Sequence, residues 1–131
     1  CVLLGAFGVS MIVAAFFPAD PVDGFPAGTP EGIPTSISTT GIVHFAAGAL
    51  GFTCLGISCL VAAWVMSRQN TRSLARLSLA SGLAVLVGFF GGFVLPNIFP
   101  GTTGIWFGVV VGWAWLSVLS LHLQRQAAAA T

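Results

Sequence analysis

The chain predicts an all-α fold, a polytopic transmembrane helical bundle with four spans at about residues 1–17, 41–66, 72–95 and 103–123. Three observations carry this. Uncharged apolar runs at 1–17, 42–66, 77–95 and 104–121 fill most of the 131 residues. About 20 apolar residues cross the roughly 30 Å hydrocarbon core as a helix, and only helices or closed barrels satisfy their own backbone there. The runs are too long and too continuously apolar for alternating barrel strands. Composition agrees: 56% of residues are hydrophobic and 5% charged, against about 25% charged in soluble domains, and mean hydropathy is +1.02. Finally, every Asp, Glu and Arg falls between or after the runs. Residues 1–131 are therefore expected to form a single transmembrane domain, with membrane lipids as partners and no nucleic-acid partner.

The first run is already under way at Cys1, with no initiator Met and no basic stretch before it, and it passes directly into Phe16-Phe17-Pro18. A signal peptide has a positive start, a hydrophobic region of about 7–15 residues and a small-residue cleavage site. A span is expected instead, within an N-terminally truncated fragment of a longer protein. Pro18 should stop this helix, because a proline pushes the residue before it out of the α region.

Residues 18–40 follow with no helical or strand pattern, longer than the usual limit of about 12–15 residues for structureless loops. Asp20-Pro21 and Asp23-Gly24 mark turns, while Phe25 and Ile33 are apolar anchors that could dock the segment on the bundle. An ordered lid is expected. Thr39 or Thr40 can cap the second helix, Asn70 or Thr71 can open the third, and Leu95-Pro96 should close it. Thr102 or Thr103 can cap the fourth, which is expected to end near Gln124.

Asp20, Asp23 and Glu31 all lie in the first connection, whereas Arg68, Arg72 and Arg76 cluster in the second and Arg125 follows the last span. Because the Lys/Arg bias of short loops sets orientation, the arginine turn and the C-terminus are expected in the cytoplasm of a multi-pass cell-membrane protein, and residues 18–40 outside. The arginines read as a cytoplasmic anchor. Topology has overridden the helix dipole here, which disfavours Arg72 and Arg76 in the first turns of a helix by roughly 0.3–1 kcal/mol each.

Two small-residue ridges predict close helix packing: Gly104, Gly108 and Gly112 form a repeated GxxxG, and Ala80, Ala84, Gly88 and Gly92 recur at the same spacing. Lipid tails supply no hydrophobic force between helices, so such ridges associate through van der Waals contact. They can serve packing within the bundle or a homo-oligomer face. Trp64 and Trp106 suit aromatic belts, while Trp113 and Trp115 lie deeper, facing core or lipid. Cys54 and Cys59 share one span and form no CxxC motif, which leaves buried thiols as the reading.

His44 is the residue that invites a functional reading. It sits about one turn inside the second helix, beside the loop carrying Asp20 and Asp23, and these three make the candidate outer polar site. Alternatively His44 pins the loop through a carbonyl. His122 lies at the opposite membrane face, nearly a bilayer from His44, so the two cannot share one metal ion. No catalytic residue, metal ligand set or cofactor motif is expected.

The run Phe17-Pro18-Ala19-Asp20-Pro21-Val22-Asp23-Gly24-Phe25-Pro26-Ala27-Gly28-Thr29-Pro30, then Gly41-Ile42-Val43-His44-Phe45-Ala46-Ala47-Gly48 and Trp113-Ala114-Trp115-Leu116, resemble the bacterial multi-span membrane family catalogued as domain of unknown function 998. The resemblance extends over essentially the whole chain. That family typically has about six spans by hydropathy, which implies that this chain corresponds to the C-terminal four. Its members commonly carry Trp-His-Gly, two residues and a second His; here Thr39 and Thr40 stand at the Trp-His positions, leaving His44 alone.

Three function classes follow. The first is a non-enzymatic membrane protein with a site for a lipid or small amphiphile at the outer mouth. The second is an intramembrane metal-dependent hydrolase resembling ceramidase-like enzymes, for which Asp20, Asp23 and His44 are the only polar group and more histidines would be needed. The third is a transporter or transporter subunit, whose signature would be a charged residue or broken helix at mid-membrane; the sequence has neither.

Overall fold

A computed structural model describes residues 2–22, 24–32, 36–94 and 102–129, with the side chains of 92–94 excepted. Helices α1 (Val2–Phe16), α2 (Thr39–Arg68), α3 (Arg72–Val94) and α4 (Thr103–Ala129) make up the fold. The helices α2, α3 and α4 are each long and apolar enough to cross a membrane, and α1 is a shorter apolar helix. At 1.5 Å per residue α1 reaches about 22 Å and α2 about 45 Å.

Local chemistry explains most boundaries. α1 stops ahead of Pro18, its final bond running from the Phe17 amide to the Val13 carbonyl. α2 starts earlier than the threonines suggest: Ser38 is the cap, in extended backbone (φ −74°, ψ 161°), with its hydroxyl accepting from the Gly41 amide. Between α2 and α3 the chain reverses at Asn70, which takes a left-handed φ of 60°. Thr71 then opens α3, its carbonyl accepting from the Ala75 amide at 3.0 Å, while its hydroxyl turns back onto the Met66 carbonyl at the end of α2, also at 3.0 Å. α4 opens with the Trp106 amide on the Thr102 carbonyl. It runs five residues past the expected end at Gln124, to Ala129, because alanine is the strongest helix former and nothing interrupts the run. The expected stop at Leu95-Pro96, and Ile33 as an anchor, lie outside the described residues.

α2 is the centre of the molecule: it packs on α1 and α3, α3 carries α4, and α4 touches α2 lightly. An aromatic row ties three helices together. Phe7 of α1 meets Phe52 of α2 edge-on at 5.9 Å, and Phe52 stacks on Phe89 of α3 at 4.6 Å. Beneath the row, Leu55, Cys59 and Val85 are fully buried.

Glycines set the helix separations. A methyl group at Gly88 would lie 2.9 Å from the Gly104 carbonyl oxygen and 3.1 Å from the Gly108 nitrogen, so α3 and α4 touch backbone to backbone there. Gly104, Gly108 and Gly112 are all buried. On α3 the four-residue row divides: Gly88 is buried, Ala84 half-buried and Ala80 exposed. The row turns about 40° per step on a helix of 3.6 residues per turn, so its early end rotates away from α4. Ser78, Ser81 and Gly82 are the buried residues at that level. The placement of Gly92 in this row lies outside what is described.

The segment after α1 is built from short turns. Val22 and Phe25 exchange backbone bonds at 3.0 Å, and the Gly24 amide reaches the Pro30 carbonyl. Gly24 has φ +74°, which its lack of a side chain permits. Phe25 does not dock on the bundle as expected; it is 77% exposed, because the turn closes through its own backbone and leaves the ring outside.

Candidate functional site

At the loop end, the polar side chains are engaged with the chain's own backbone. His44, half-buried one turn into α2, places Nδ1 3.0 Å from the Ala14 carbonyl and 2.8 Å from the Phe17 carbonyl. The Ala14 oxygen belongs to the last turn of α1 and the Phe17 oxygen lies one residue past it, where carbonyls have no helical partner. The imidazole thus joins the end of α1 to the start of α2. Asp20 accepts from the Ser38 amide at 2.8 Å, and its carboxylate lies against Gly41, where a side chain would collide with it. An anion at a helix N-terminus is favoured by the dipole. The Ser38 side chain first, and its backbone amide second, hold the Asp20 carboxyl below the usual value of 3.8. Asp23 lies outside the described residues. His44 and Asp20 are therefore both at the junction where residues 17–38 leave and re-enter the bundle.

The opposite end carries Arg68, Arg72, Arg76 and Arg125, all exposed. Arg68 sits over the Trp64 ring, 5.2 Å from its centre. Between these ends, a polar contact couples three helices that sequence reasoning did not single out as a unit. Trp115, 2% exposed, donates its indole N–H to the Ser78 hydroxyl at 2.9 Å, and that hydroxyl points to the Met66 sulfur at 3.8 Å. Trp113, by contrast, is 65% exposed. The signal was available in part: a buried indole needs an acceptor, and serine on a neighbouring helix is a common supplier.

A groove of about 550 Å³ opens beside this contact. Its walls are the first turn of α1 (Val2, Leu3, Leu4) and the last turns of α4 (Trp115, Leu119, His122, Leu123, Gln126); its floor is α2 from Ser58 to Gln69. Residues at the middle of the molecule are apolar apart from Ser58, whose hydroxyl donates to the Cys54 carbonyl, and Gln69, His122 and Gln126 gather at the arginine end. α1 runs antiparallel to α2: Phe17 is level with His44, and Phe7 with Phe52, so Val2 comes level with Ser58. The volume falls within the roughly 300–1,000 Å³ typical of ligand sites.

Among the described residues, no three His, Cys, Asp or Glu side chains form a group that could hold a metal ion. Cys54 and Cys59 are buried with free thiols.

No curated protein and no solved structure matches the chain. One protein-family model does match, described as a protein of unknown function (DUF998), and it covers residues 1–122. The long apolar helices and that match make this an integral, multi-pass membrane protein, and the chain belongs to the DUF998 family.

Proposed function

We propose that the chain is a non-catalytic membrane protein that binds a lipid or a similar amphiphile, and that the binding site is the groove between α1 and α4. The groove carries the reading: mainly apolar along its length, with the Ser58 hydroxyl turned onto the Cys54 carbonyl and Gln69, His122 and Gln126 gathered at the other end, it suits a molecule with a hydrocarbon tail and a polar head. The loop end, with His44 and Asp20, serves as a closure joining α1, the loop and α2. The proposed orientation puts the arginine end in the cytoplasm, supported by four arginines at one end and all three carboxylates near the other.

Trp115 lines the groove and provides the test. In a variant with Trp64, Trp106 and Trp113 replaced by Phe, phospholipids brominated on the acyl chain should quench Trp115 fluorescence, and Ala62→Phe, which fills the groove, should reduce that quenching. Trp113 as the only tryptophan is the positive control, since it faces outward. An unquenched Trp115 beside a quenched Trp113 refutes the reading. For orientation, Thr29→Cys should react with an impermeant maleimide on intact cells and Gln69→Cys should not; the reverse pattern inverts the topology.

A further inference from the structure

We propose that the face of the α2–α3 hairpin turned away from α4 is a docking surface for the head group of an anionic phospholipid, held by Arg68, Arg72 and Arg76 beside Trp64. This surface is separate from the groove and does not rest on it. Its register comes from a close helix contact: a methyl group at Gly82 would lie 2.9 Å from the Cys59 Cβ and 3.1 Å from the Gly56 carbonyl oxygen, so Gly82 of α3 is level with residues 56–59 of α2. The two helices run antiparallel about the reversal at Asn70. Six residues nearer the reversal, Arg76 comes level with Trp64, and one helical turn beyond that Arg72 comes level with Arg68.

Facing follows from helix geometry, since two residues turn a helix by about 200°. Trp64 stands two residues past Ala62, which lines the groove with Trp115 of α4, and Arg76 stands two residues before Ser78, which accepts from Trp115. Both therefore point away from α4, on one side of the hairpin, and Arg68 and Arg72 continue the two rows four residues on. All four side chains are exposed. Arg68 already lies over the Trp64 ring, 5.2 Å from its centre, a contact that positions the guanidinium of an otherwise flexible side chain.

Charge and depth select the occupant. α2, α3 and the turn between them contain no Asp or Glu, so the three guanidinium groups meet no carboxylate on their own hairpin. A guanidinium pairs with phosphate through two parallel hydrogen bonds. A second copy related by a two-fold axis along the membrane normal would bring its own arginines to the same depth, where like charges repel. Past Arg76 the row continues through Leu79 and Leu83, 48% and 52% exposed, so the anion that suits this face carries an apolar tail. An anionic phospholipid meets both requirements, and free phosphate meets only the first.

The experiment uses the protein with Trp106 and Trp113 replaced by Phe, which keeps the bond from Trp115 to Ser78. It is placed in phosphatidylcholine bilayers containing increasing amounts of phosphatidylglycerol, or of phosphatidylcholine, brominated near the carboxyl end of one acyl chain. Subtracting the emission of the same protein with Trp64→Phe isolates Trp64, and that second protein reads the groove separately through Trp115. Trp64 quenching should half-saturate at several-fold lower phosphatidylglycerol than phosphatidylcholine, each arginine near the head contributing roughly fivefold at low ionic strength. Arg76→Gln should remove much of that preference, and Arg125→Gln, an equal loss of charge from α4, should leave it. Equal half-saturation by the two lipids overturns the anionic site. Equal effects of Arg76→Gln and Arg125→Gln overturn it in favour of general surface charge. Trp64 unquenched by either lipid places protein on this face and also overturns it; a disulfide between two copies of Leu79→Cys would then identify a second copy as the cover.

Discussion

Adding one methyl group at Gly88 is the most direct probe of how this bundle is held. In Gly88→Ala the new carbon would sit 2.9 Å from the Gly104 carbonyl oxygen and 3.1 Å from the Gly108 nitrogen, both backbone atoms that cannot rotate away. α3 and α4 must separate, and overpacking of this kind costs about 1–3 kcal/mol. Against it stands the helical preference of alanine over glycine, about 0.5–1 kcal/mol. The expected net destabilisation is about 1–2 kcal/mol. Gly108→Ala is the graded comparison: its nearest contacts, the Phe89 nitrogen and Val85 oxygen, are at 3.3 Å, so a shift of a few tenths of an ångström relieves it and the net change should stay within about 0.5 kcal/mol of zero. Gly5→Ala meets nothing within 4 Å and should show the propensity gain alone. Reversible unfolding in mixed micelles, titrated with sodium dodecyl sulfate, ranks the three. If Gly88→Ala is as stable as Gly108→Ala, close backbone contact is not what sets the α3–α4 distance.

Other perturbations test the remaining contacts. Ser78→Ala leaves the buried Trp115 indole without an acceptor and should destabilise by about 1–3 kcal/mol; a loss below about 0.5 kcal/mol in the same titration shows that the hydrogen bond is not needed. His44→Ala frees the Ala14 and Phe17 carbonyls and should raise protease cleavage within residues 19–33, where unchanged rates would show that the imidazole does not hold the junction. The Asp20 contact should depend on pH in one direction only. A carboxyl held below its unfolded value of 3.8 stabilises fully above that pH and loses the contribution as pH falls through its lower folded value. Pepsin cleavage of the loop, taken as the ratio of wild type to Asp20→Asn, should therefore climb toward one below pH 3.8, and a ratio that changes near neutral pH assigns the effect to another group.

The class of fold was open to sequence reading because the membrane imposes it: length and apolarity of a run suffice when only helices can cross. Which face of each helix points inward was much less legible. In water, a polar stripe marks the outside of a helix; in lipid both faces are apolar, and Trp113 and Trp115, two residues apart, differ from 65% to 2% exposed with nothing in their chemistry to separate them. The inward face was marked instead by small residues, and only as far as their row stays in phase, which is why Gly88 meets α4 and Ala80 does not. At the loop end His44 and Asp20 stood out because ionisable residues beside a span are rare, yet their partners are backbone groups, and backbone groups leave no trace in a residue pattern. The groove was the least legible feature, since most of its lining is ordinary leucine, valine and alanine, and its place depends on how α1 and α4 lie against α2. Any chemistry there has to be selected at the Gln69–Gln126 end, because along its apolar length the groove and a lipid tail offer each other nothing that the bilayer does not already supply.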